Sequence, residues 1–137
     1  MTESYSTNIT VAAGSLVPFN VTDIQKGCTS VLSGTSSFNL NKSGVYMITV
    51  NAYGATAETS GNVGLQLFVN GNAVTNAEAQ ELSTATTDIV SIAFSKLVQV
   101  PNNNTCACNT SPTVVTVEGI GETALWNLVN VVITKIC

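Results

Sequence analysis

The sequence predicts an all-β protein, an antiparallel β-sandwich of about eight to ten strands. Three observations carry that prediction. β-Branched residues dominate, and apolar residues recur at a spacing of two along most of the chain. Turn-forming clusters interrupt the chain at short intervals, at Ala13-Gly14, Lys42-Ser43-Gly44, Asn70-Gly71 and Pro101-Asn102-Asn103-Asn104. Only Asn76 to Leu82 reads differently, as a turn or two of helix at most and more readily as a loop.

Taken in order, residues 1–8 read as a short amino-terminal arm and residues 9–137 as a single domain. Short strands are expected at Asn8–Ala12, Ser15–Val21, Ser30–Leu32, Ser37–Leu40 and Thr113–Glu118. From Val45 to Tyr53, alternation sets Tyr46, Ile48, Val50 and Ala52 on one face and Val45, Met47, Thr49, Asn51 and Tyr53 on the other. From Val63 to Asn70, Val63, Leu65, Leu67 and Val69 share a face, and Asn70-Gly71 suits a type I′ hairpin turn. The long run from Asp88 to Val100 aligns Val90, Ile92, Phe94, Val98 and Val100. The last strand, Leu125 to Ile136, is apolar on both faces: Leu125, Val129, Val131 and Ile133 against Trp126, Leu128, Val132 and Ile136. A strand of that kind lies at the centre of something, between layers or between subunits.

Composition narrows the function. Apolar residues make up 45% of the 137 positions, but charged residues only 9%, against about 25% in an ordinary globular protein. Thr, Ser and Asn replace the missing charge, which suggests an exterior partly covered by other subunits. With four lysines, no arginine and a net charge of −4, nucleic-acid binding is not expected. Histidine is absent, which removes Ser-His-Asp and Cys-His catalysis and His-ligated metals together. No enzyme, cofactor or metal site is expected. No apolar run approaches the roughly 20 residues that span a bilayer, and the first residues lack the pattern of a secretory signal. Synthesis in the cytoplasm and no membrane partner are the expectations.

Phe38-Asn39-Leu40-Asn41-Lys42-Ser43-Gly44-Val45-Tyr46, an aromatic, a polar turn and Gly-x-Tyr entering a strand, resembles the jelly-roll domain of tumour necrosis factor and complement globular heads. Leu65-Gln66-Leu67-Phe68-Val69-Asn70-Gly71-Asn72 follows as a second match, and the Asp88 and Trp126 strands fit its last sheet. The resemblance runs from about Ile9 to Ile136 and implies a homotrimeric jelly roll, one sheet face of each subunit turned to the three-fold axis. Tyr46, Tyr53, Phe94, Trp126 and Leu128 are then the candidates for that interface or for the monomer's own core. The short, Thr/Ser/Asn-rich, signal-less form resembles virion proteins of bacteriophages, head decorations or fibres, and spore-surface filament proteins. This implies a structural protein of a virion, made in the host cytoplasm, whose partner is a capsid or fibre protein. A fibre adhesin that binds a host-surface glycan or protein is the alternative, with Tyr53 or Tyr5 beside Asn side chains as the candidate contacts.

Cys28, Cys106, Cys108 and Cys137 admit three readings: a zinc site, disulfides formed outside the cell (Cys28 with Cys137, or between subunits), or reduced thiols. The spacing Cys106-Ala107-Cys108 is not that of a zinc knuckle, and no histidine is present to activate a thiolate. The carboxylates Glu3, Asp23, Glu58, Glu78, Glu81, Asp88, Glu118 and Glu122 are scattered and form no calcium-loop pattern. Asn-x-Ser/Thr triplets at Asn8, Asn20, Asn41 and Asn109 are chance in so Asn- and Thr-rich a chain.

Overall fold

The computed structural model describes residues 1–27, 29–101 and 112–137. Among these residues ten strands form: β1 (Thr2–Val11), β2 (Val21–Gln25), β3 (Ser30–Ser33), β4 (Ser37–Leu40), β5 (Gly44–Thr56), β6 (Gly61–Val69), β7 (Asn72–Ser83), β8 (Val90–Val100), β9 (Thr113–Gly121) and β10 (Ala124–Lys135). They make two five-stranded antiparallel sheets, one in the order β2-β1-β10-β5-β8 and the other β3-β4-β9-β6-β7.

The predicted alternation sets the inner faces. Tyr46, Ile48 and Val50 of β5, Val63, Leu65 and Leu67 of β6, and Val129, Val131 and Ile133 of β10 are all fully buried between the sheets. Phe38 and Leu40 of β4 and Val115 and Val117 of β9 complete the opposing wall. Phe19, from the segment after β1, stacks at a tilt on Phe38 with ring centroids 5.1 Å apart and closes one side. The Tyr46 hydroxyl reaches the rim, donating to the Lys42 carbonyl at 2.8 Å. Asn70 and Gly71 have φ of 51° and 81°, the left-handed pair that a type I′ turn requires.

Four expectations are corrected. Asn76–Leu82 is neither helix nor loop but part of β7, which pairs with β6; Asn76 takes a φ of 63° in an irregularity of that pairing, and the Ala and Gln content masked a strand. The strand expected at Ser15–Val21 lies later, at Val21–Gln25, because Val17 and Phe19 are used as buried plugs rather than as ladder residues. Residues 1–8 are not an arm: residues 2–8 belong to β1, paired with β10 on one side and β2 on the other. Its inward residues are Thr2, Ser4 and Ser6, so apolar periodicity could not reveal it. They are buried because they are bonded: Thr2 Oγ1 donates to the Ser30 carbonyl, Ser4 Oγ lies 3.2 Å from Thr22 Oγ1, and Ser6 Oγ accepts from Asn20 N at 3.0 Å. Deleting residues 1–8 is therefore expected to abolish cooperative thermal unfolding, read by circular dichroism, since it removes a strand from the interior of a sheet.

The fourth correction concerns β10. Its register against β5 shifts between Trp126 and Leu128, so Asn127 is an extra residue and the parity of the strand changes there. Trp126 and Val129 consequently face inward together, both fully buried, while Leu125 is 43% exposed.

The β7–β8 turn is held by one carboxylate. Asp88 accepts from both the backbone N–H and the hydroxyl of Thr84, each at 2.9 Å, and these bonds hold its carboxyl below the ordinary value of 3.8. A group with a lowered folded value supports structure above its unfolded value and loses that support as pH falls through the folded one. The Thr84 amide resonance is thus expected to titrate with a midpoint below 3.8, and Asp88→Asn to remove that titration.

Candidate association face

Among the described residues, no second layer covers the other face of the β2-β1-β10-β5-β8 sheet. The pairings set its side chains in cross-strand rows: Thr7, Leu128, Tyr53 and Ser91; Tyr5, Asn130, Asn51 and Ala93; Glu3, Val132, Thr49 and Ser95; then Thr134, Met47 and Leu97. Met47 is 42% exposed, Tyr53 42% and Leu97 57%, while Leu128 and Val132 are half-buried by their neighbours. The doubly apolar last strand is explained by this arrangement. Its inner face fills the sandwich core, and its outer face lies at the centre of an open sheet.

Electrostatically the face is almost blank. Glu3 is the one charged residue in these rows, and its carboxylate accepts from Asn130 Nδ2 at 3.0 Å. Thr49 and Ser95 hydroxyls pair at 3.0 Å. Covering such a surface removes apolar area from water at about 25 cal/mol per Å² and desolvates few charges, the usual obstacle to association. Lys96, the one lysine on these strands' interior positions, points to the inner side of the edge strand β8, a device that discourages open-ended strand pairing there.

The five residues singled out from the sequence divide. Tyr46 and Trp126 are fully buried, and Phe94 is packed against the core, so these three serve the monomer's interior. Tyr53 and Leu128 are register partners on the outer face. The sequence reading missed Met47, Leu97, Val132 and Asn130 as their companions, although the two faces of each strand were separable by alternation. What was lacking was the pairing that makes one face of four strands continuous. Of the cysteines, Cys137 is exposed with a free thiol, and Cys28, Cys106 and Cys108 lie outside the described residues. Among the described residues, no three His, Cys, Asp or Glu side chains are grouped to hold a metal ion, and no helix is long and apolar enough to cross a membrane.

Among solved structures, Eiger TNF from S. frugiperda matches with a TM-score of 0.63 and 11% identity, over 98% of this chain and 92% of that one. Murine APRIL matches with 0.60 and 9%, over 98% of both chains. The PRD1 vertex protein P5 matches with 0.54 and 18%, over 99% of this chain and 96% of that one. The fold is a tumour-necrosis-factor-like jelly roll. At these identities the likeness is one of architecture alone. No protein-family model matches the chain, and no curated protein matches it by sequence.

Proposed function

We propose that this chain is a non-enzymatic structural protein of a bacteriophage virion, a trimeric capsid-decoration or head-fibre subunit acting by protein–protein association. The observation that carries the proposal is the outer face of the β2-β1-β10-β5-β8 sheet. It is nearly uncharged, with Tyr53 beside the half-buried Leu128 in one row, Met47 beside Leu97 in another, and the half-buried Val132 and neutral Asn and Thr side chains between them. Large apolar side chains exposed on a nearly uncharged sheet face are what an interaction site offers. Likeness to a phage vertex protein, together with the Thr/Ser/Asn-rich exterior, favours a virion over other settings. Immunogold labelling of purified particles tests the location. Label on intact particles is the expected result, and label only in the unassembled fraction would oppose it.

A receptor- or glycan-binding adhesin is the second reading, and one observation favours it. Tyr5 lies in the same row as Asn130 and Asn51, with Glu3 bonded to Asn130, so an aromatic is flanked by amides and a carboxylate. A glycan array separates the two: the association role predicts no reproducible hit, and a hit lost in Tyr5→Ala would establish the adhesin.

A further inference from the structure

At one end of the sandwich the loops are tied to one another by hydrogen bonds. Ser83 Oγ accepts from Thr56 N at 3.0 Å and donates to the Asp88 carbonyl at 2.8 Å. Ala57 N donates to the Thr123 carbonyl at 2.9 Å, and Glu122 N to the Asn62 carbonyl at 2.8 Å. At this end Leu82 and Ile89 are each 55% exposed. Neither belongs to the rows of the association face. Leu82 sits opposite Asn62 on the other sheet, and Ile89 precedes β8. Two large aliphatic side chains held out into water by a braced turn bring apolar area to a contact with little further ordering cost.

Charge is divided along the same axis. Glu58, Glu81, Asp88 and Glu122 stand at this end, four of the chain's eight carboxylates, with no lysine among them. Lys26, Lys42 and Lys135 stand at the opposite end, where the amino terminus bonds the Lys26 carbonyl at 2.9 Å. We infer that the end carrying Leu82 and Ile89 is a docking surface for a partner protein whose matching surface sets lysine or arginine around an apolar recess. Charge complementarity narrows the occupant: contact with the same end of a second copy would set carboxylate against carboxylate, a nucleic acid would be repelled, and contact with the lysine-bearing end of a second copy would show as a change in oligomeric mass. The inference stands whether or not the outer sheet face is a trimer contact.

The test is amide-shift mapping by NMR with an amphipathic peptide of leucine and lysine only, at low and high salt. Shifts confined to residues 57–60, 82–89 and 122–123 are expected, weakening with salt. Binding should fall about tenfold or more in Ile89→Ser and in Leu82→Ser/Ile89→Ser, and also in Glu58→Gln/Glu122→Gln. Glu78→Gln, outside this end, should have no effect. Ile89 lies outside any strand, so its single variant keeps the test usable if the double variant does not fold. The inference is overturned if Glu78→Gln weakens binding equally, or if Ile89→Ser leaves binding unchanged. It is also overturned if Ile89→Ser alters the oligomeric mass, or if calcium alone produces the same shifts.

Discussion

Trp126→Ala is expected to destabilise the folded chain by about 3–5 kcal/mol, the cost of emptying a large buried aromatic site. The ring is fully buried at the point where β10 carries its extra residue, so the loss falls on the element that sets the parity of the whole strand. Collapse around the cavity is restricted. A Cβ built on Gly54, across the ladder, would already lie 2.3 Å from the Leu125 carbonyl oxygen and 2.7 Å from Trp126 Cα. Glycine is needed there because the backbones approach too closely for any side chain. Trp126→Phe should cost much less, on the order of 1 kcal/mol, because among the described residues the indole N–H has no hydrogen-bond partner to lose. Urea unfolding followed by circular dichroism measures both, since Trp126 is the only tryptophan and fluorescence would vanish with it. Equal losses in the two variants would contradict the account of this site.

Leu128→Glu is expected to dissociate the assembly while leaving the monomer folded. Leu128 lies between Thr7 and Tyr53 on β10, the middle strand of the open face, where its replacement remains accessible to water in a lone chain. In an assembled face each copy would bury an uncompensated carboxylate, at a cost of several kcal/mol per copy, about 3–5 kcal/mol where a charge is left unpaired. Glu3, the one charged residue in these rows, offers no counter-charge. Gln80→Glu, on an exposed position of β7, is the matched control and should leave the mass unchanged. Sedimentation of the two variants beside the parent chain decides between loss of assembly and general destabilisation.

The fold was legible where burial follows alternation. Tyr46, Ile48 and Val50, and Val63, Leu65 and Leu67, are inward as their spacing requires, and the Asn-Gly turn is left-handed at both residues. Legibility failed where a strand is not written in apolar letters. β1 turns Thr2, Ser4 and Ser6 inward and holds them by hydrogen bonds, so only the folded chain shows why they are buried. β7 is rich in Ala, Gln and Glu, and its irregularity at Asn76 breaks the period that would have marked it. The outer sheet face was legible by halves. Alternation separates Met47 and Tyr53 from Tyr46 and Ile48, but placing Tyr53 beside Leu128 requires the shifted β5–β10 register, which no local pattern encodes.

The central claim is that the outer sheet face is a contact between copies of this chain. Its most direct test is the solution mass by light scattering, with and without reductant. The account predicts three times the chain mass of 14.2 kDa in both conditions, because the face joins copies through apolar area rather than through thiols. A mass of one chain in both conditions would contradict it.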